Sequence, residues 1–128
     1  MVDRIAYDPL LYMQSFEPMS NKIRHIIGEF IQGGGNFPDS FNVAQHLGIS
    51  PSTLSRRLRQ ENTSFQDLKS SCQEAAAKRF LRQGDLSMHE ISQRLGFWDV
   101  RSFRRAFQNW TGVLPSTFRS QSQFPTDA

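Results

Sequence analysis

The amino-acid sequence predicts an all-α protein of about seven helices, in which a long linker helix joins two helix-turn-helix subdomains. Two observations carry this prediction: apolar residues recur at helical spacing, and one short segment occurs twice. Residues 43–49 (VAQHLGI) match residues 91–97 (ISQRLGF) position for position. Capping residues, glycines and prolines then mark where the individual helices begin and end.

The first predicted helix has one continuous apolar face, formed by Ile23, Ile26, Ile27, Phe30 and Ile31. Glycines at 33–35 end this helix, because glycine takes the conformations that a helix terminus requires at little cost. Residues 1–18 lack a sustained apolar period, so we interpret them as a tail or linker.

Each copy of the repeat contains a helix, a turn at a glycine (Gly48 or Gly96) and the start of a second helix. Ser50 is the expected N-cap of the second helix in the first copy, where Pro51 suits the first turn. In the second copy the expected cap is Asp99, which lies one residue later. After this offset the repeat resumes with four pairs: Ser52 with Arg101, Leu54 with Phe103, Arg56 with Arg105, and Leu58 with Phe107.

Between the copies, the sequence predicts a short helix from Ser64 and a longer spacer helix that runs through Cys72 to Gly84. Ser87 and Glu90 form a capping box that opens the second copy, and Pro115 begins a final helical turn. The predicted organisation has four parts: an N-terminal tail (1–18), a first subdomain with the linker helix (19–83), a second subdomain (84–120) and a C-terminal tail (121–128).

Composition restricts the classes of function without selecting one. The 15 basic and 12 acidic residues give a net charge of +3, and only Lys22, Lys69 and Lys78 among the basic residues are lysines. The single cysteine, Cys72, excludes an intramolecular disulfide and suits a reducing cytosol. The sequence has no metal-ligand spacing and no apolar run long enough to cross a bilayer. We therefore expect a cytoplasmic protein with no cofactor, no bound metal and no membrane partner.

The second helix of each copy presents a polar face that is rich in arginine. In the first copy this face carries Ser52, Ser55, Arg56, Arg59 and Gln60. In the second copy it carries Arg101, Ser102, Arg104, Arg105, Gln108 and Asn109. Arginine pairs with guanine edges, and asparagine or glutamine with adenine, in a major groove that admits an α-helix. Because ordinary solvated faces mix both charge signs, the duplicated arginine faces favour binding to double-stranded DNA.

Three segments resemble the DNA-binding domain of the AraC/XylS family of bacterial transcription regulators. They are residues 96–99 (GFWD), 103–107 (FRRAF) and 111–119 (TGVLPSTFR), and the upstream run 43–58 with Ser64 and Phe65 is similar to the family's first helix-turn-helix. The resemblance covers about residues 20–119. It implies sequence-specific DNA binding in adjacent major grooves and transcription regulation, with activation through RNA polymerase. The chain is then either a stand-alone DNA-binding protein or, as we expect, part of a longer parent chain that carries a sensor domain.

The resemblance also assigns base-contacting positions. They are Ser52, Ser55 and Arg56 in the first recognition helix and Val100, Arg101, Ser102, Arg104 and Arg105 in the second. Val100 offers only an apolar contact. The sequence departs from the family pattern at Leu114, which lacks a capping hydroxyl, at Phe118, and at residues 73–74 of the spacer, where Gln and Glu replace basic residues.

Other interpretations remain open from the sequence. A helical protein-interaction module could present the same arginine faces to an acidic partner. An enzyme is disfavoured, because the chain offers no nucleophile-base pairing and no glycine-rich phosphate loop. Trp98 has two possible roles. It could act as a wedge against a sugar or a thymine methyl of DNA, or it could pack within the protein, and we expect packing.

Overall fold

The structure, a computed structural model, describes residues 17–33 and 37–123. Seven helices lie in these residues: α1 (Met19–Gly33), α2 (Ser40–Leu47), α3 (Pro51–Gln60), α4 (Phe65–Gln83), α5 (Met88–Arg94), α6 (Val100–Thr111) and α7 (Pro115–Gln123). The all-α fold with two helix-turn-helix subdomains and a linker helix is thus confirmed. We call residues 40–60 the first helix-turn-helix unit and residues 88–111 the second.

The residues between the two units form one helix rather than two. Ser64 caps α4 as expected, since its hydroxyl accepts a hydrogen bond from the backbone N–H of Asp67. The predicted short helix and spacer helix are in fact continuous from Phe65 to Gln83, because no residue in this stretch interrupts the backbone hydrogen bonds. At the other end of the chain, α7 is longer than the single turn that was expected and reaches Gln123.

A single cluster of buried side chains includes residues from both units. Ile23 and Ile27 of α1, Leu54 of α3, Leu81 of α4 and Phe103 of α6 all belong to it. Helix α4 packs against both α1 and α7, so it is the element that both halves share. Burial of the apolar side chains in this shared cluster holds the two units together as one body.

Phe30 is less buried than its place on the apolar face of α1 suggests. It lies at the edge of that face and is 37% exposed. Cys72 is half-buried against the core, and Pro51, at the first position of α3, is exposed. The predicted N-terminal tail lies outside the described residues up to position 16, as does the C-terminal tail from position 124.

Candidate nucleic-acid interface

The two turns have the same backbone hydrogen bonds. In the first unit Gly48 N–H donates to Gln45 O at 3.1 Å and Ile49 N–H donates to Ala44 O at 3.0 Å. The corresponding bonds in the second unit run from Gly96 to Gln93 O at 3.1 Å and from Phe97 to Ser92 O at 2.9 Å. Gly48 has φ +73° and Gly96 has φ +84°, the left-handed region in which glycine is favoured. The sequence repeat is therefore also a structural repeat.

The helix that follows each turn begins at the predicted cap. The hydroxyl of Ser50 accepts from the backbone N–H of Thr53 at 3.1 Å, and Pro51 occupies the first position of α3. The carboxylate of Asp99 accepts from the backbone N–H of Ser102 at 2.8 Å. Both caps satisfy N–H groups that a helix leaves unpaired. Helices α3 and α6 thus hold equivalent positions in the two units.

In α3 the predicted contact residues all lie on the solvent side. Leu54 and Leu58 are 1% exposed and fix the buried side of the helix. The exposed set contains every predicted residue of this helix: Ser52, Ser55, Arg56, Arg59 and Gln60. The Ser52 hydroxyl lies 3.3 Å from that of the cap residue Ser50, so these two hydroxyls can share a hydrogen bond. The outer side of α3 is therefore covered by polar side chains that are accessible to a ligand.

In α6 the predicted residues divide into two groups. The side opposite the buried Phe103 and Phe107 is exposed and carries Arg101, Arg105 and Asn109. Ser102 and Val100 are half-buried, whereas Arg104 is exposed. Val100 and Arg104 line a small cleft with Met88, Pro115 and Ser116, so they lie on the side of α6 that faces the start of α7.

No arginine of either helix forms an ion pair with an acidic side chain within the described part of the chain. The close contacts between basic and acidic side chains in that part join His25 to Glu29 at 3.3 Å within α1 and Lys78 to Glu74 at 3.0 Å within α4. The hydrogen bonds from Ser102, with the charges of Arg101 and Arg105 nearby, lower the pKa of Asp99, so this cap remains ionised. Positive charge on the two faces is therefore available to an anionic ligand.

Long-range contacts fix the second turn relative to the rest of the molecule. Gln73 of α4 is only 4% exposed and donates from Nε2 to the carbonyl oxygen of Leu95 at 2.7 Å. A Cβ atom at Gly96 would lie 2.6 Å from the Cβ of Phe37, so the Phe37 side chain packs directly against this glycine. The departure from the family pattern at Gln73 is thus structural: a buried amide holds the turn in place.

Sequence reasoning misjudged Trp98 and missed Arg57, two exposed side chains near the predicted faces. Trp98 was expected to pack inside the protein, and that expectation is wrong because the side chain is 98% exposed. Arg57 of α3 is exposed, and so is Gln108, which the sequence placed on the polar face of α6. The available signal for Arg57 was its charge, since an arginine is almost never fully buried unless it is paired.

The described residues contain no group of three or more His, Cys, Asp or Glu side chains arranged to hold a metal ion. Within the same part of the chain, no helix has the length and apolar character needed to cross a membrane.

Comparison with known proteins places this geometry in a family. A family model described as "Helix-turn-helix domain" matches residues 43–121, which includes both units. The fold is similar to that of a Chromobacterium violaceum transcriptional regulator with an AraC-type DNA-binding domain, with a TM-score of 0.67 at 20% identity over 84% of this chain and 95% of that one. The chain belongs to the AraC/XylS-type helix-turn-helix family.

Two curated relatives of this AraC/XylS-type domain are much longer proteins. The ornithine utilization regulator of Pseudomonas aeruginosa is 39% identical over 66% of this chain and 25% of its own length. The urease operon transcriptional activator of Escherichia coli is 33% identical over 87% of this chain and 36% of its own length. The chain thus spans about a quarter to a third of the length of the relatives it matches. Its family and fold are those of DNA-binding transcription regulators.

Proposed function

We propose that this domain binds double-stranded DNA with sequence specificity by placing α3 and α6 in two successive major grooves of one duplex, and that it regulates transcription in this way. The observation that carries the proposal is the repeated turn, which sets two arginine-bearing helices in equivalent positions on one buried core. Successive grooves on one side of B-DNA are about 34 Å apart. One chain could then occupy two half-sites, as dimers of single helix-turn-helix proteins do.

We assign the base contacts to the most outward residues of each helix. Arg56 and Arg105 occupy corresponding positions in the repeat and are both exposed, which suits bidentate pairing with guanine. Ser52, Ser55 and Arg101 lie beside them, and Ser102 borders the same face. Val100, at the start of α6 on the side that faces α7, is assigned an apolar contact. Arg59, Gln60 and Asn109 lie further along their helices, where contacts to phosphate are favoured.

Arg104 has a distinct role in the proposal. It lies beside the first residues of α7 in the small cleft with Pro115 and Ser116. Phosphates bind where helix N-termini and cations coincide, so we assign Arg104 to the backbone at the edge of the groove rather than to a base.

The wider role follows from the family. The similarity to a relative named as a transcriptional activator favours activation, which would require contact with RNA polymerase. We further propose that the chain acts in the cytoplasm, has no enzymatic activity, and works within a longer regulator that carries a sensor domain. The boundaries at 19–83 and 84–120 remain a proposal for how the two subdomains divide.

The test is selection of bound duplexes from a random-sequence library, repeated with Arg56→Ala and Arg105→Ala. Each variant should lose about 1–3 kcal/mol on the duplex selected by the parent protein and should relax base preference at one position. Arg24→Ala on α1 is the charge-matched control and should leave the selected sequence unchanged.

Affinity should also fall steeply with salt, in proportion to the number of phosphates neutralised. Equal losses on all sequences would move both arginines to phosphate contacts. Failure of the parent protein to retain any duplex at low salt, with retention of an acidic protein instead, would contradict the proposal as a whole.

A further inference from the structure

Trp98 is the most exposed large apolar side chain in the described residues. It is 98% exposed, compared with 58% for Phe41 and 37% for both Phe30 and Leu114. Tryptophan is on average a well-buried residue, and leaving its whole ring in water forgoes a large apolar stabilisation. A side chain so displayed gains most from a surface that covers it on binding.

The position of Trp98 within the repeat is specific. The hydrogen bonds of the turn align Phe97 with Ile49, and the cap bonds align Asp99 with Ser50. Ser50 follows Ile49 directly, whereas Trp98 stands between Phe97 and Asp99. Trp98 is therefore the one residue of the second turn that has no counterpart in the first.

Both neighbours of Trp98 are anchored, so its backbone has a defined place. The ring of Phe97 lies with its centroid 5.7 Å from that of Phe103 and 6.1 Å from that of Trp110. Asp99 is held by its hydrogen bond to the first turn of α6. Because the turn is fixed on either side, the indole is presented at the N-terminal end of α6 at low entropic cost.

The surroundings of Trp98 suit an anionic and partly apolar surface. Arg101 and Arg105 are close enough to act electrostatically on Asp99, the residue next to Trp98. In a bound helix-turn-helix, base edges are contacted by the start of the recognition helix, whereas residues before it are nearer the backbone. The deoxyribose rings of that backbone are apolar and its phosphates accept hydrogen bonds.

We propose that Trp98 packs its indole ring against the sugar-phosphate backbone at the edge of the groove that α6 enters, with Nε1–H donating to a phosphate oxygen. The proposal rests on the proposed DNA binding and adds a contact that only the second unit can make. It predicts extra affinity that does not depend on base sequence, since sugar and phosphate are common to all duplexes.

The direct test uses fluorescence of the single-tryptophan variant Trp110→Phe, because the chain contains two tryptophans. The probe is a duplex of about 30 base pairs, three helical turns, chosen by selection with the parent protein. Free protein should be strongly quenched by acrylamide, and saturation with duplex, followed separately by anisotropy of a labelled duplex, should reduce that quenching several-fold. Saturation with no change in quenching would overturn the contact and leave DNA binding standing.

Affinity measurements identify what Trp98 touches. Trp98→Ala should weaken binding about tenfold, both to the selected duplex and to an unrelated duplex at low salt, and Trp98→Phe should recover part of the loss. Phe30→Ala, an exposed aromatic of α1, is the matched control and should bind as the parent does.

A loss of affinity seen only for duplexes that carry a particular base pair at one position would overturn the backbone assignment in favour of a base contact. Unchanged binding by Trp98→Ala would overturn any contact with DNA. If the parent protein bound neither duplex, both the proposed function and this inference would fall together.

Discussion

The two helix-turn-helix units share their turn geometry but differ in how they are held to the rest of the molecule. In the first unit α3 buries only Leu54 and Leu58, and its end is tied to α1 by Glu61. In the second unit α6 buries Phe103 and Phe107 within a group of aromatic rings. A short motif thus fixes each turn, whereas the placement of each recognition helix depends on contacts from distant residues.

The second unit has the more extensive attachments. Its turn is contacted by Gln73 from the linker helix and by Phe37 from the segment before the first unit. Arg119 of α7 also donates from Nη2 to the carbonyl oxygen of Leu86, at 2.6 Å. The contacts of Gln73 and Phe37 link the halves, so we expect the domain to unfold as one body, with larger penalties for damage to the second unit.

The largest effect is expected from truncation of the aromatic group. Phe107 is fully buried, and its ring centroid lies 5.4 Å from that of Phe118, so Phe107→Ala should lower the free energy of unfolding by about 3–5 kcal/mol. Leu58→Ala, the counterpart in the first unit, should cost about 2–5 kcal/mol. Urea unfolding followed by circular dichroism measures both. Two separate transitions in either variant would break the expectation of a single body.

The two turn glycines give a sharper comparison. Gly48 and Gly96 share a left-handed conformation, which costs an alanine about 1–2 kcal/mol. At Gly48 an added Cβ meets nothing within 4 Å, whereas at Gly96 it would lie 2.6 Å from Phe37. Gly96→Ala should therefore cost about 1–3 kcal/mol more than Gly48→Ala.

Thermal unfolding of the Gly48→Ala and Gly96→Ala variants measures this difference in stability, which reports on the contact between Phe37 and the second turn. In a Phe37→Gly background, which lacks the Cβ that the added methyl group would meet, Gly96→Ala should cost no more than Gly48→Ala does in the parent protein, because the clash is then removed. Equal losses for the two single glycine variants would contradict the close packing of Phe37 on the second turn.

The tie from the linker helix is testable at Gln73. Gln73→Leu keeps the size of the side chain but leaves the Leu95 carbonyl oxygen without its side-chain donor, which should cost about 1–3 kcal/mol. Gln66→Leu on the exposed side of the same helix is the control, and it should change stability by less than about 0.5 kcal/mol. A comparable loss in the control would show that helix composition, rather than the buried hydrogen bond, is responsible.

The smallest effect concerns the first unit and depends on pH. Partial burial would raise the pKa of Glu61, but hydrogen bonds from Ser20 and from the backbone N–H of Met19 outweigh it and lower the pKa. A carboxylate with a lowered pKa in the folded state stabilises the protein above its ordinary pKa, and this stability is lost as pH falls through the lowered value.

Glu61→Gln should therefore be less stable than the parent at neutral pH, by about 1 kcal/mol or less, and the difference should shrink in acid. Unfolding in urea at neutral and at acidic pH measures this difference. Because other carboxylates titrate in both proteins, only the difference between them reports on Glu61. A difference that stays constant from neutral to acidic pH would contradict the role of the charged carboxylate.

The elements that could be predicted from the sequence are those set by neighbouring residues. Ser50, Ser87 and Asp99 each bond to a backbone N–H three residues away, so their roles follow from local spacing. The family resemblance and the arginine faces are likewise carried by short segments.

The long-range contacts that position the two units were not predictable in this way. Gln73 and Leu95 are 22 residues apart, and Met19 and Glu61 are 42 apart, so no periodicity relates them. Trp98 was misjudged because an apolar residue in a turn was expected to pack. The one-residue offset in the repeat was the available signal, since a residue with no counterpart has no place in the shared turn geometry.

The measurement that most directly tests the account is a hydroxyl-radical footprint on a selected duplex, made with the parent protein and with Arg56→Ala and Arg105→Ala. The account predicts two protected segments about 10 base pairs apart on one side of the duplex, with each variant weakening a different segment. A single protected segment, or two variants that weaken the same base pairs, would contradict the claim that both units bind one duplex together.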